Sequence, residues 1–154
     1  MPLVSVIHGP NLNLLGQREP EVYGTATLAE IDQRLVARAH TLGLDLETFQ
    51  SNVEGLLIDR IQADLPRAQA LLINAGGYTH SSVAIRDAVA AWRGRAPVIE
   101  VHLSIPEARE NFRQVSLLAG VVAGRVEGFG ALSYLLALEA ASELIGARGN
   151  ARNQ

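Results

Sequence analysis

Glu100 and His102 stand two residues apart in a run that is otherwise apolar and β-branched from Val98 to Val101. In a buried strand, alternate side chains leave the same face, so the carboxylate can hold the imidazole in one tautomer, as a general acid or base requires. Ser104-Ile-Pro-Glu reads as a helix start, and Arg109 and Arg113, four residues apart, would share a helical face near backbone N–H groups able to bind an anion. The same residues also fit a buried ion pair followed by a solvated helix face. Tyr23 follows Arg18 by five positions. A neighbouring guanidinium favours the phenolate, so this pair suits removal of a proton α to a carbonyl. The enolate that forms needs donors, such as the Asn11 amide, and His102 can then protonate a departing hydroxyl. Arg113, Ser104 and nearby N–H groups suit a carboxylate, while Asn74 and His80 suit hydroxyls. Together these groups describe dehydration of a hydroxylated keto acid, although Tyr23 alone also fits packing and Arg18 alone a surface charge.

These residues must be positioned by strand ends. Leu3 to Ile7 reads as a strand followed by a long loop to Gly24, in which Gly16 and Gly24 can act as hinges of a lid bearing Arg18 and Tyr23. Thr27-Leu-Ala-Glu30 is a capping box opening a helix to about His40, with Gly43 as its stop. Leu44 to Phe49 reads as a second strand, and Ser51-Asn-Val-Glu54 as a second capping box before a helix to about Asp64. Ala70 to Ile73 is a third strand, ending in a loop with Asn74 and His80 before a helix from Val83 to Trp92. The Glu100 strand is the fourth, a short helical piece follows, Gly120 to Val126 is the fifth strand, and a long helix ends near Gly146. The alternation predicts an α/β, flavodoxin-like three-layer fold with a five-stranded parallel sheet in the order 2-1-3-4-5. Ligands in such sheets bind beyond the carboxyl ends of the strands, where Asn11, Asn74, His80, His102 and Ser104 fall.

The 154 residues suit one domain, expected as a catalytic domain over 1–146 with a frayed tail over 147–154. A charged share of only 19% suggests surface buried against other subunits. The net charge of −3 and the lack of a basic stripe argue against nucleic acid. Without a basic, apolar leader or a membrane-length apolar run, the expectation is a soluble cytoplasmic protein. The chain has no cysteine and no lysine. It therefore has no thiol nucleophile, no disulfide, and no ε-amine for a Schiff base, for pyridoxal phosphate or for a P-loop. No two of the four histidines have metal-ligand spacing, and no Gly-x-Ser-x-Gly elbow exists. Gly128-Phe-Gly130 reads as a tight turn rather than a dinucleotide loop. A non-catalytic flavodoxin-like module binding an anion or nucleotide is the alternative, but it predicts a Gly- and Ser/Thr-rich loop after strand one, where this chain has Pro10 and bulky leucines.

The segments Gly9-Pro-Asn-Leu-Asn-Leu-Leu-Gly16, Arg18-Glu-Pro, Tyr23-Gly24, Asn74-Ala-Gly-Gly-Tyr-Thr-His80, Arg86-Asp-Ala, Glu100-Val-His-Leu-Ser104 and Arg109-Glu-Asn-Phe-Arg113 resemble type II 3-dehydroquinate dehydratase from about residue 3 to 145. The resemblance implies conversion of 3-dehydroquinate to 3-dehydroshikimate by anti elimination through an enolate, in the shikimate pathway, without metal or cofactor. It implies that Tyr23 takes the C2 proton, with Arg18 stabilising the phenolate and the transition state. Asn11 would hold the enolate through a water, and His102, oriented by Glu100, would protonate the departing hydroxyl. Asn74, His80, Leu103, Ser104 and Arg113 would bind substrate, with Arg109 in support. Trimers packed into a dodecamer are implied too, Asp87 reaching a neighbouring subunit's site. His8 departs from the family pattern, standing where Asn commonly precedes Gly-Pro-Asn, and Ile105-Pro106 stands where Asn usually follows the serine.

Overall fold

The computed structural model describes residues 1–17 and 19–153. Five parallel strands, β1 (Leu3–His8), β2 (Asp45–Gln50), β3 (Ala70–Asn74), β4 (Val98–His102) and β5 (Gly124–Glu127), lie in the order β2-β1-β3-β4-β5. This is the predicted flavodoxin-like topology, and it follows from parallel neighbours needing long crossovers, helical in the first three connections and built of 3-10 turns between β4 and β5. The helices are α1 (Pro20–Tyr23), α2 (Leu28–Thr41), α3 (Glu54–Asp64), α4 (Val83–Ala90) and α5 (Leu132–Arg152).

Strand pleating sorts side chains onto two cores. Val4, Val6, Leu72, Ile99 and Val101 pack with Leu35 of α2 and Tyr134 and Leu138 of α5. Ile7, Leu71, Ile73 and Val98 face the other way, toward Leu57 and Ile61 of α3, Ile85 and Val89 of α4, and Trp92. Each such large side chain stabilises the fold by roughly 1.5–3 kcal/mol when fully buried. The parity continues to the strand ends: His8 and Asn74 sit side by side in register on the α2/α5 face, and Glu100 and His102 leave the opposite face of β4. At the same end, Gly9 lies so close to β3 that an added Cβ would stand 2.6 Å from the Ala75 carbonyl, so only glycine fits.

Several boundaries differ from the sequence expectation. The capping box on α2 forms, Thr27 accepting from Glu30 N–H and Glu30 from Thr27 N–H. Ser51 does not cap α3. Its Oγ accepts the Val53 N–H at 2.9 Å in a local turn, leaving Val53 at the N-cap without a side-chain bond. Helix α4 is capped by Ser82 and ends at Ala90, before Trp92. The last strand begins at Gly124 rather than Gly120, because Leu118 and Val121, both buried, are tied in a turn by a Val121 N–H to Leu118 carbonyl bond. The segment after β4 is two 3-10 turns, Pro106–Ala108 and Asn111–Arg113, and not one helix. Arg109 lies between them at φ −103° and ψ −142°, so Arg109 and Arg113 share no helical face. At the C-terminus α5 continues past Gly146 to Arg152, and Arg148 Nη2 donates to the Gly94 carbonyl at 3.3 Å. That contact helps offset the roughly 1 kcal/mol cost of each glycine in a helix. None of the described helices is long and apolar enough to cross a membrane.

Candidate active site

The end of β4 supplies the most constrained pair. His102 Nε2 lies 2.6 Å from Glu100 Oε2, with the carboxylate fully buried and the imidazole 7% exposed. Because a carboxylate only accepts, Nε2 carries the proton of that bond, leaving Nδ1 to exchange a proton with a ligand. Ser116 Oγ donates to both Glu100 oxygens, at 3.0 and 2.9 Å, and takes the N–H groups of Leu118 and Ala119. Arg125 Nε stands 3.5 Å from Glu100 Oε2, and its Nη2 bonds Glu107 at 3.0 Å and Glu127 at 2.9 Å. Burial works against the Arg125 charge, but Glu100, Glu107 and Glu127 outweigh it and hold the guanidinium more firmly protonated than usual. For Glu107, burial pushes the carboxyl up, and its backbone hydrogen bond and Arg125 more than reverse this, leaving it below the ordinary value. Burial dominates at Glu127 and raises it, despite Arg125. Neither Ser116 nor Arg125 figured in the sequence reading, since a serine in a loop and an arginine in a strand carry no signal of their own.

In front of this pair lies a cleft of about 90 Å³. Its wall from β1 is Asn11, held in the left-handed region at φ 68°, a conformation asparagine tolerates, with its N–H donating to Asn52 Oδ1 at 2.9 Å. Gln50 braces the same loop, donating to the Gly9 carbonyl at 3.1 Å and to Asn52 at 3.2 Å, another support the sequence did not announce. From the β3 end come Asn74, whose Oδ1 accepts the Gly76 N–H at 3.1 Å, and His80, whose Nδ1–H donates to the Val115 carbonyl at 2.7 Å. The His80 bond leaves Nε2 as the nitrogen free for a ligand.

Leu103, Ser104, Arg109 and Arg113 close the far side, and Tyr23 of α1 closes the top. Gly16 and Gly24 flank that lid at φ 89° and 83°, values that favour glycine. The Arg109 guanidinium lies 5.1 Å from the Tyr23 ring centroid, and Arg113 Nε donates to Glu110 Oε2 at 2.5 Å. Glu110 is lowered by its own backbone hydrogen bond and by Arg113, so it stays charged. Arg18 lies outside the described residues. Asp87 does not enter the cleft: it is exposed on α4 beside Arg86, at 3.2 Å. Among the described residues, no group of three or more His, Asp or Glu is arranged to hold a metal ion. The cleft thus combines a phenol, an imidazole backed by a carboxylate, two guanidiniums and fixed amide groups. That set suits proton transfer on a small, hydroxylated anion.

Known proteins place this arrangement. Residues 2–142 match the family Dehydroquinase class II. Relatives named 3-dehydroquinate dehydratase include one from Desulforudis audaxviator, 54% identical over 142 residues that cover 92% of this chain and 93% of that one. Another, from Prochlorococcus marinus, is 54% identical over 140 residues, covering 91% and 93%. The crystal structure of type II dehydroquinase from Propionibacterium acnes superposes with a TM-score of 0.88 at 36% identity, covering 93% of this chain and 97% of that one. Nothing in these matches supports the alternative of a non-catalytic binding module. With its topology, its cleft and these relatives in agreement, the chain belongs to the class II dehydroquinase family.

Proposed function

We propose that the cleft dehydrates 3-dehydroquinate to 3-dehydroshikimate, a step of the shikimate pathway, by anti elimination through an enolate. The observation that carries this reading is the convergence on one cleft of Tyr23, the His102–Glu100 pair and the guanidiniums of Arg109 and Arg113. Tyr23, as phenolate, takes the C2 proton, and the C2–H electron pair moves onto the C3 carbonyl oxygen. Arg18, five residues before Tyr23 in the sequence, stabilises the phenolate and the transition state in this reading. Asn11 steadies the enolate oxygen through a water. Collapse of the enolate expels the C1 hydroxyl, which leaves as water with a proton from His102, and Glu100 keeps the imidazole aligned. Arg113, Ser104 and the backbone at Leu103 hold the substrate carboxylate, Arg109 supports the lid over Tyr23, and Asn74 and His80 address the ring hydroxyls. Every step is met by the chain's own groups, so the reading needs no cofactor or metal.

The chain works in the cytoplasm, in this reading, as a dodecamer built from trimers. An apolar groove between α2 and α5, lined by Ala37, Leu132, Leu135 and Leu136, supports burial against another subunit, and exposed Asp87 is available to a neighbouring cleft. Ultraviolet absorbance of the conjugated product tests the function. Wild type should raise it on addition of 3-dehydroquinate, and Tyr23→Phe should not. No rise with wild type, or an unimpaired rate in Tyr23→Phe, would refute the proposal.

A further inference from the structure

The turn that follows Arg113 is tied to both imidazoles of the cleft, to one directly and to the other through a carboxylate. The Val115 carbonyl takes His80 Nδ1–H at 2.7 Å, and the next residue, Ser116, bonds Glu100, the partner of His102. The Leu117 N–H donates to the Thr79 carbonyl at 2.9 Å and Leu118 is fully buried, so the turn is pinned on both sides of its backbone. Ser116 Oγ accepts the Leu118 and Ala119 N–H groups, each at 3.2 Å. Its two lone pairs are thereby taken from within the turn, and its one proton is left for Glu100. The hydroxyl oxygen lies 3.0 Å from Glu100 Oε1 and 2.9 Å from Oε2. Oε2 also receives His102 Nε2, but among the described residues Oε1 has no hydrogen-bond donor besides Ser116. Arg125 does not replace it: its Nε, 3.5 Å from Oε2, makes no hydrogen bond, and its Nη2 is engaged by Glu107 and Glu127. A charge at that distance attracts the carboxylate without fixing its plane, and the last torsion of a glutamate is intrinsically broad. The hydroxyl therefore decides how the carboxylate is turned.

We infer that Ser116 is a positioning residue for the proton donor: by fixing the plane of the Glu100 carboxylate it sets the angle at which His102 presents Nδ1 to the departing hydroxyl. Ser116 does not line the cleft, so it acts only through Glu100 and His102. With the neighbouring Val115 carbonyl, a single turn thus orients both cleft imidazoles. The inference rests on the proposed role of His102 as proton donor. A hydroxyl that merely satisfied a buried carboxylate would stabilise the fold and leave the proton-transfer step alone.

Steady-state kinetics of a small set of variants test it, each checked for folding by circular dichroism and thermal melting. Ser116→Ala should lower kcat for 3-dehydroquinate about tenfold, with KM within about twofold of wild type, as loss of a hydrogen bond to a charged group that serves the chemical step predicts. Ser116→Thr, which keeps the hydroxyl, should return kcat to within about threefold of wild type. In a His102→Gln background, Ser116→Ala should cost less than about twofold, because the side chain it positions is gone. A folded Ser116→Ala enzyme with wild-type kcat would overturn the inference, as would a loss confined to KM or a Ser116→Thr variant as slow as Ser116→Ala. So would an equal cost in both backgrounds, which is what general loosening of the site produces. If Ser116→Ala fails to fold, Ser116→Cys keeps the shape with a much weaker donor and carries the same expectations. His102→Gln by itself separates the two layers of argument. A wild-type kcat there removes the proposed donor and the inference with it, whereas a large loss there beside wild-type kcat in Ser116→Ala overturns the inference alone.

Discussion

Replacing Glu100 by glutamine removes one charge from the site with almost no change of shape. In the native protein the carboxylate is fully buried and receives His102 Nε2 at 2.6 Å, the Ser116 hydroxyl at 2.9 and 3.0 Å, and the field of Arg125 at 3.5 Å. A hydrogen bond to a charged partner contributes about 1.5–3 kcal/mol and a neutral one about 0.5–1.5 kcal/mol, so the amide should hold the imidazole about 1–2 kcal/mol less well as it gives up its proton. That difference corresponds to roughly a 5- to 30-fold loss in kcat. Arg125 retains Glu107 and Glu127, and Ser116 can still donate to the amide oxygen, so the fold should survive with a melting temperature only a few degrees lower. Initial rates from the ultraviolet signal of the product, over a range of substrate concentrations, give kcat and KM separately. A folded Glu100→Gln enzyme with wild-type kcat would refute the reasoning that the carboxylate aligns the proton donor. So would a loss expressed only in KM.

Three further perturbations probe other parts of the account. Arg113→Gln should raise KM about 10- to 100-fold through loss of a charge-assisted bond to the substrate carboxylate; equal KM values in steady-state assays would remove Arg113 from the binding scheme. Gly9→Ala puts a Cβ 2.6 Å from the Ala75 carbonyl and should cost about 1–3 kcal/mol by forcing the β1 and β3 ends apart. Urea titration should show the lowered midpoint, and an unchanged one would mean the strand ends yield freely. Glu107 titrates below its ordinary value of 4.5, so its stabilising contribution is complete above that pH and is lost as pH falls through the depressed value. Glu107→Gln should therefore flatten the acid fall in stability, measured by denaturant titration from pH 6 to 3, and an identical pH slope in both proteins would contradict that sign.

The sheet order was legible because β1, β3 and β4 carry apolar runs, β2 alternates, and the first three crossovers show a helical period. The Glu100 and His102 pairing followed directly from strand alternation. The segment after β4 was misread as one helix because Ser104-Ile-Pro-Glu has a good helix start, whereas the non-helical backbone at Arg109 divides it into two 3-10 turns. Arg109 and Arg113 still reach the same cleft, by a route no periodicity announces. Ser51 showed a cap-like spacing but bonds Val53 locally, a competition between turn and cap that composition does not resolve. The supports of the site were hidden for another reason. Ser116, Gln50 and Arg125 act across the fold, and their partners are distant in the chain. His8 was visible only as an unusual residue before Gly-Pro-Asn, and its partners Asp32 and Tyr134 belong to helices on the face opposite Glu100.

The central claim is that a base on the lid removes one particular C2 proton while His102 protonates the hydroxyl on the opposite side. Substrate carrying deuterium at the C2 position anti to the C1 hydroxyl addresses it most directly, with the product read by mass spectrometry. The account predicts 3-dehydroshikimate free of the label, formed more slowly than from unlabelled substrate whenever proton removal limits the rate. Product that retains the deuterium would contradict it.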